Sequence, residues 1–136
     1  MQMSLKAAAW LAGLWFFLVF TSGVVCGQTY RFRVYTTNTG LPNNAVYAIY
    51  QDSHGYMWFG TDQGVSRYDG QNYINLSVPQ GMTDAPVRAL AEDQSGNLWV
   101  GTRGGISRFD GNTFTNFTPK DGLSNAEIRS LLCALS

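Results

Sequence analysis

One segment of this sequence occurs twice without a gap, and a third time in outline. Gly40 and Gly81 stand 41 positions apart (81 − 40 = 41), and the same offset pairs Val46 with Val87, Ala48 with Ala89, Asp52 with Asp93 and Gly55 with Gly96. It also pairs Trp58 with Trp99, Gly60-Thr61 with Gly101-Thr102, Gly64 with Gly105, Ser66-Arg67 with Ser107-Arg108, Asp69-Gly70 with Asp110-Gly111 and Asn75 with Asn116. Between these identities the changes are conservative: Met57/Leu98, Phe59/Val100, Val65/Ile106, Tyr68/Phe109 and Tyr73/Phe114. A third copy opens at Gly122-Leu123, continues through Ile128-Arg129 and Leu131, and fails at Ala134, where Asp52 and Asp93 predict an aspartate. A repeat of this length is one supersecondary unit whose apolar face only a neighbouring unit can bury.

Within one period the turn signals cut out four short β segments, in the first copy Val46–Gln51, Tyr56–Thr61, Val65–Tyr68 and Asn72–Leu76. Asp52-Ser53-His54-Gly55 and Asp69-Gly70 supply turns between them, repeated as Asp93-Gln94-Ser95-Gly96 and Asp110-Gly111. Four strands in about 40 to 45 residues is the measure of a propeller blade. Alternation puts Met57 and Phe59 on one face and Trp58 and Gly60 on the other, so a ring lies beside a residue with no side chain, as face-to-face blade packing requires. A helical solenoid of similar period needs apolar spacing of three to four residues uninterrupted by glycine, and here Gly or Asp-Gly recurs every few residues. The expected fold is all-β: four-stranded antiparallel blades with a period of 41, two blades and one strand of a third, an incomplete propeller behind a signal peptide.

That signal is read from Lys6, the apolar run Ala7 to Phe20, and the smaller Thr21-Ser22-Gly23. A short positive region, an apolar core and small residues make a secretory signal, with cleavage after Gly27. Two alternatives stay open, a retained anchor extended by Ser22 to Val25 and a lipoprotein held through Cys26, though Val25 is not the small residue that lipidation wants. All three place the rest of the chain outside the cytoplasm.

Nine basic residues balance nine acidic ones with no Lys/Arg cluster, which removes the electrostatic footprint of a nucleic-acid binder. The two cysteines, Cys26 and Cys133, lie at opposite ends and do not share a mature chain after cleavage, so no disulfide or metal framework is expected. His54 is the only histidine, lies in a turn, and gives way to Ser95 in the second copy. No catalytic residue, metal ligand or cofactor site is expected. Asp52 and Asp93 offer one carboxylate per turn where calcium takes six to eight oxygens, so their expected task is to cap the hairpin. The Asp-box of sialidases separates aspartate and glycine by one residue, whereas here two intervene. Asn75-Leu76-Ser77 and Asn116-Phe117-Thr118 fit the N-glycosylation pattern, which is expected to be coincidental.

Gly40-Leu41-Pro42-Asn43-Asn44-Ala45-Val46, then Asp52 to Thr61, then Gly64-Val65-Ser66-Arg67-Tyr68-Asp69-Gly70 together resemble the two-component regulator propeller repeat. The second copy resembles it through Asp93 to Gly96, Leu98 to Thr102 and Gly105 to Gly111, so the likeness covers about Tyr30 to Leu131. The resemblance implies a sensor module outside the cytoplasm: in bacteria such repeats build propellers at the N-terminus of large membrane receptors. A further β domain, a transmembrane helix and a cytoplasmic output follow in that family, a histidine kinase, a hybrid kinase or a diguanylate cyclase, and its best-known members sense polysaccharide fragments. A propeller closes with four to eight blades. The chain is therefore expected to be a fragment, aggregation-prone or disordered when expressed alone, whose partners are the remaining blades and an oligosaccharide or other periplasmic ligand. Membrane contact is expected only through the N-terminal segment or a span beyond the C-terminus, and nucleic acid is not expected as a partner.

The expected organisation is a signal peptide or anchor over 1–27, a lead-in strand or linker over 28–39, blade repeats over 40–80 and 81–121, and the start of a third over 122–136. The repeat-invariant residues Asp52, Gly55, Trp58, Gly60, Thr61, Gly64, Arg67, Asp69 and Gly70, with Asp93, Gly96, Trp99, Gly101, Thr102, Gly105, Arg108, Asp110 and Gly111, are assigned to the scaffold. For Arg67 and Arg108 that task is expected to be one shared by every blade, such as pairing with a neighbouring carboxylate. Ligand contacts belong where the copies differ: Asn43-Asn44-Ala45 against Asp84-Ala85-Pro86, and Asp62-Gln63 against Arg103-Gly104. Exposed Tyr47 and Tyr56 are further candidates, able to stack on sugar rings. The leading functional expectation is a non-catalytic sensing segment. The alternatives are a piece of an exported propeller lyase or glycosidase, whose catalytic residues other blades would supply, and a structural interaction scaffold.

Overall fold

The computed structural model describes residues 29–133, so the signal or anchor expected over 1–27, together with Cys26 and the mismatch at Ala134, lies outside the described residues. The chain divides into two compact units, Met1–Arg33 and Val34–Ser136. Of the first, only 29–33 are described, where the Tyr30 and Phe32 rings lie 6.4 Å apart.

The described residues of the second unit hold eight strands: β1 (Val46–Gln51), β2 (Met57–Thr61), β3 (Gly64–Tyr68), β4 (Tyr73–Leu76), β5 (Val87–Glu92), β6 (Leu98–Thr102), β7 (Ile106–Phe109) and β8 (Phe114–Phe117). They form two four-stranded antiparallel sheets in sequence order, one per repeat. Each of the four strands expected in the first copy forms within a residue of its expected bounds. The strand alternative for 28–39 does not form; the described part carries only a 3-10 turn, Thr37–Thr39, whose carbonyl and hydroxyl bonds are satisfied locally. Nor does 122–133 make a strand. One backbone bond, Ile128 N–H to the Thr102 carbonyl at 2.8 Å, docks it on the second blade, because no second strand stands beside it to continue the ladder.

The 3-10 turns recur at Val78–Gln80 and Pro119–Asp121, each closed by a reciprocal box: Thr36 with Thr39, Ser77 with Gln80, Thr118 with Asp121. These pairs lie on the same 41-residue offset, so the structural period begins at Thr36, four residues before the first identity visible in the sequence.

Register places Trp58 opposite Arg67 and Gly60 opposite Val65, with Ala48 and Tyr50 across from Gly60 and Trp58 on the other side. That face of blade 1 meets blade 2. Trp58, Val65, Met82, Val87, Leu98, Val100 and Phe109 form the buried core between the blades, and the Trp58 and Phe109 rings meet edge to face at 6.1 Å. Gly60 is the condition for this approach: a Cβ there would lie 2.5 Å from Val87 Cγ1. Gly101 repeats the arrangement, with Ile128 in Val87's place and a Cβ 2.7 Å from Ile128 Cγ2. On the far face of blade 1, Tyr35 covers Phe59 and Tyr68 with ring centroids 5.2 and 5.4 Å away.

Candidate functional site

Antiparallel pairing sorts the loops to two ends. Because Val46 pairs with Thr61 and Val87 with Thr102, the segments before β1 and β5 share one end with the turns after β2 and β6. The positions at which the copies differ therefore lie together. The Asp52–Gly55 and Asp69–Gly70 turns lie at the opposite end.

At the variable end the ladder of β1 and β2 shifts register between Val46 and Ala48, and that of β5 and β6 between Val87 and Ala89. Each irregularity takes one residue out of the pairing, Tyr47 in one blade and Arg88 in the next. Tyr47 Oη donates to Asp62 Oδ2 at 2.9 Å, the Arg88 guanidinium carbon lies 3.7 Å over the Tyr47 ring, and Arg88 Nη2 meets Asp62 Oδ1 at 3.5 Å. The hydrogen bond with Tyr47, followed by the charges of Tyr47 and Asp62, raises the Arg88 pKa against the opposing effect of desolvation. Asp62, expected as a loop residue, is thus joined across the seam between blades to Arg88, which sequence comparison did not single out. The mismatch of Tyr47 with Arg88 on the repeat offset was the available signal.

The other expected positions divide. Asn43 and Asn44 are spent on backbone: their side-chain oxygens accept from Ala45 N–H at 2.7 Å and Thr37 N–H at 2.8 Å. Asp84 caps Ala85 N–H at 2.8 Å and packs over Gly104, where a Cβ would lie 2.9 Å from its own Cβ. Gln63 and Arg103 project from their turns and are exposed. Tyr56 carries Arg67, whose guanidinium carbon lies 4.7 Å from the ring centroid.

At the opposite end the repeated aspartates cap their hairpins. Asp52 Oδ1 accepts from His54 and Tyr56 N–H at 3.0 and 2.9 Å, while Oδ2 accepts from Trp58 Nε1 at 2.7 Å. Asp93 does the same for Ser95, Asn97 and Trp99, and its pKa falls to about 2, chiefly through the Asn97 side chain and then through Trp99 and the turn amides. One carboxylate thereby fixes both a turn and the ring that enters the seam. A blade-to-blade clamp joins here: Ser53 N–H and Oγ donate to Glu92 at 2.8 and 2.7 Å. Behind it a cleft of about 210 Å³ opens between the blades, lined by His54, Arg67, Glu92 and Asp110 among others.

Among the described residues the arginines of the repeat signature, Arg67 and Arg108, make no ion pair with a carboxylate. Arg67 lies against the Tyr56 and Trp58 rings, and Arg108 lies 5.9 Å from the Trp99 centroid, because the residues opposite them in β2 and β6 are tryptophans. Thr61 and Thr102, fully buried, donate to the Gly64 and Gly105 carbonyls at 2.9 Å. Asn75 takes Ser66 Oγ at 2.6 Å and gives its amide to the Gly40 carbonyl at 3.1 Å, as Asn116 does with Ser107 and Gly81, so both glycosylation-like asparagines are stitching residues. Among the described residues no group of three or more His, Cys, Asp or Glu side chains converges as a metal site.

Residues 40–63 and 81–104 match the model of the two component regulator propeller family. Each blade thus carries a match to the two component regulator propeller repeat, over the lead-in and first two strands of each sheet. Among solved structures, the extracellular domain of a putative hybrid two component system from B. thetaiotaomicron matches with a TM-score of 0.66 at 25% identity. The match covers 72% of this chain and 14% of that one, so this chain spans about a seventh of the matched protein. No curated protein matches the sequence.

Proposed function

We propose that this chain is a non-catalytic segment of an extracytoplasmic sensor propeller of a two-component system, one that presents a periplasmic ligand with the variable ends of its blades. The observation that carries this reading is the pairing of two family repeats with a 0.66 TM-score match to the extracellular domain of a hybrid two-component system. The division of labour within the blades supports it. Invariant side chains are consumed by caps, stitches and the seam, while the differing positions gather at one end, where Tyr47, Asp62 and Arg88 form a network that no repeat rule requires. Residues 1–27 deliver the blades across the inner membrane, and a kinase or another cytoplasmic output elsewhere in the receptor reads their state. No helix among the described residues is long and apolar enough to cross a membrane.

Two measurements test this. Alkaline phosphatase fused after Ser136 should be active in a bacterial host and lose activity when residues 1–27 are deleted; an active β-galactosidase fusion in its place would overturn the export reading. A panel of oligosaccharides should include one that raises the melting temperature of the chain without being converted. Release of a cleaved product would instead favour the exported enzyme.

A further inference from the structure

Upstream of Thr36 the 41-residue offset still carries side-chain classes, though no identities. Phe32, Tyr35 and Thr36 stand where Tyr73, Leu76 and Ser77 stand in the first blade, and where Phe114, Phe117 and Thr118 stand in the second. Those are the two ends of the fourth strands, β4 and β8, and the caps of the 3-10 turns that follow them. A fourth strand has two tasks. Its first residue stacks on the last residue of the third strand in its own blade, Tyr73 on Tyr68 at 4.6 Å and Phe114 on Phe109 at 4.8 Å. Its last residue covers the blade that follows: Leu76 packs against the core between the blades, to which Phe109 belongs. Tyr35 already performs the second task on blade 1, since it covers Phe59 and Tyr68, and Tyr68 is the counterpart of Phe109. The first task is unfilled, with Phe32 86% and Val34 72% exposed.

We propose that residues 32–35 are the fourth strand of another blade, and that their partner is the third strand of a further repeat with the pattern of Gly64-Val65-Ser66-Arg67-Tyr68 and no fourth strand of its own. The register follows from the two blades on the page. Asp69 N–H reaches the Asn72 carbonyl at 3.2 Å and Asp110 N–H the Thr113 carbonyl at 3.3 Å, so alternation makes Arg67 with Ile74, and Arg108 with Thr115, hydrogen-bonded pairs as well. On the offset Arg33 takes the place of Ile74 and Thr115, so its N–H and carbonyl face the partner's arginine, and Phe32 stacks on the partner's terminal aromatic. Main-chain bonds of this kind add a strand to an open sheet edge, and the aromatic pair fixes its register. One position departs: Val34 stands where Asn75 and Asn116 take a serine hydroxyl and give their amides to a glycine carbonyl, so the added strand lacks that stitch. One short segment thereby belongs to two blades, pairing with the partner's third strand and covering blade 1 through Tyr35. The inference goes beyond the sensing reading and does not depend on it.

Calorimetric titration of the whole chain carrying Thr115→Pro tests the proposal, because that change takes a ladder N–H from β8 and frees the edge of β7. A synthetic peptide of residues 29–40 should bind it one to one, as should the control peptide of residues 111–122, the same stretch two periods on. Arg33→Pro in the first peptide should weaken binding about tenfold or more, and so should restoring Thr115 in the chain, which returns the edge to β8. Self-association of the Thr115→Pro chain that the 29–40 peptide disperses is the same result, since a second copy then supplies the strand. Binding of the control peptide alone, or binding of the 29–40 peptide that is indifferent to Arg33→Pro or to Thr115, would overturn the proposal. If the Thr115→Pro chain takes up neither peptide, a graft decides. Thr115→Arg with Phe117→Tyr gives β8 the side chains of Arg33 and Tyr35 around Asn116, and should melt within about 5 °C of the parent with amide protection kept over 114–117. Loss of that protection would show that the segment cannot serve as a fourth strand.

Discussion

Trp58 and Trp99 occupy the same position in successive blades, hang from the same kind of aspartate, and end in different surroundings. Trp58 is 3% exposed, clasped by Val87, Leu98 and Phe109 of the next blade. Trp99 is only partly buried and lies instead on Phe117 of its own blade, ring centroids 5.6 Å apart and nearly parallel. The neighbouring positions follow: Val65 is fully buried and its counterpart Ile106 is not, while Ile49 is 62% exposed and its counterpart Leu90 packs against the core. Identical sequence signals therefore produce a core residue or a surface one according to whether a blade stands opposite. In this repeat the fold is a property of neighbours, and one blade specifies only half of its own packing.

The largest effect should come from supplying the missing neighbour. Replacing 122–136 with a further in-frame copy of 81–121 buries Trp99 and Ile106, apolar groups worth about 1.5 to 3 kcal/mol each when fully covered. Urea unfolding should show the longer chain more stable by about 3 kcal/mol or more. In the two-blade chain Trp58→Ala should cost about 3 to 5 kcal/mol and Trp99→Ala about 1 to 2; in the longer chain the two costs should converge. A soluble two-blade monomer with a cooperative thermal transition and equal tryptophan costs would break the comparison.

Next in size is the clamp between Ser53 and Glu92, which accepts two charge-assisted hydrogen bonds across the first seam. At the second seam the same two positions carry Gln94 and Cys133, neither of them a carboxylate. Glu92→Ala should destabilise the chain by about 1 to 3 kcal/mol. Hydrogen exchange should place the loss at the seam, in β1, β2 and β5, rather than in β7 and β8. Protection lost evenly through both blades would show that the clamp does not act at the seam.

This contrast also explains what the sequence could and could not disclose. Gly60, Trp58 and Asp52 were legible because every blade needs them: a gap for the neighbour's branched side chain, a ring to fill the seam, and a carboxylate to hold the ring and the turn at once. The scaffold task of Arg67 was legible but not its partner: the suggested carboxylate gives way to the Trp58 ring, because pairing across β2 and β3 is a matter of register, which fixes the face a residue shares. Glu92 and Arg88 were missed for the opposite reason. Each acts once, across one seam, at positions occupied by Gln51 and Tyr47 in the first copy, so periodicity has no means of reporting them. Of the loop candidates, Asn43, Asn44 and Asp84 serve local backbone caps, and that use depends on turn geometry that composition does not reveal.

A smaller effect should appear in acid. Folding lowers the Asp93 pKa from 3.8 to about 2, and lowers those of Asp69, Asp110 and Asp121 through hydrogen bonds from turn amides. A carboxylate whose folded pKa is depressed contributes its full stabilisation above its unfolded pKa and loses it as pH falls through the folded one. Stability should therefore be flat above about pH 5 and decline between about pH 4 and 2. Asp93→Asn should be less stable at neutral pH and show a shallower decline over that window. An unchanged slope in the variant would remove Asp93 as a contributor.

The smallest effect is expected where the blades differ most. Tyr47, Asp62 and Arg88 form a linked set, yet the Arg88 and Asp62 side chains are 28% and 40% exposed, and pairs this open to water contribute about 0.2 to 1 kcal/mol. Tyr47→Phe removes the 2.9 Å bond to Asp62 and keeps the ring beneath Arg88; Arg88→Gln removes the charge and keeps a polar arm. Each should shift stability by less than about 1 kcal/mol, and the coupling measured by a double-mutant cycle should be smaller still and fade with salt. Coupling of several kcal/mol that persists at high salt would make this network part of the scaffold, equivalent to the Asp52 cap, and would undo the division between a load carried by invariant residues and a surface left free to vary for recognition.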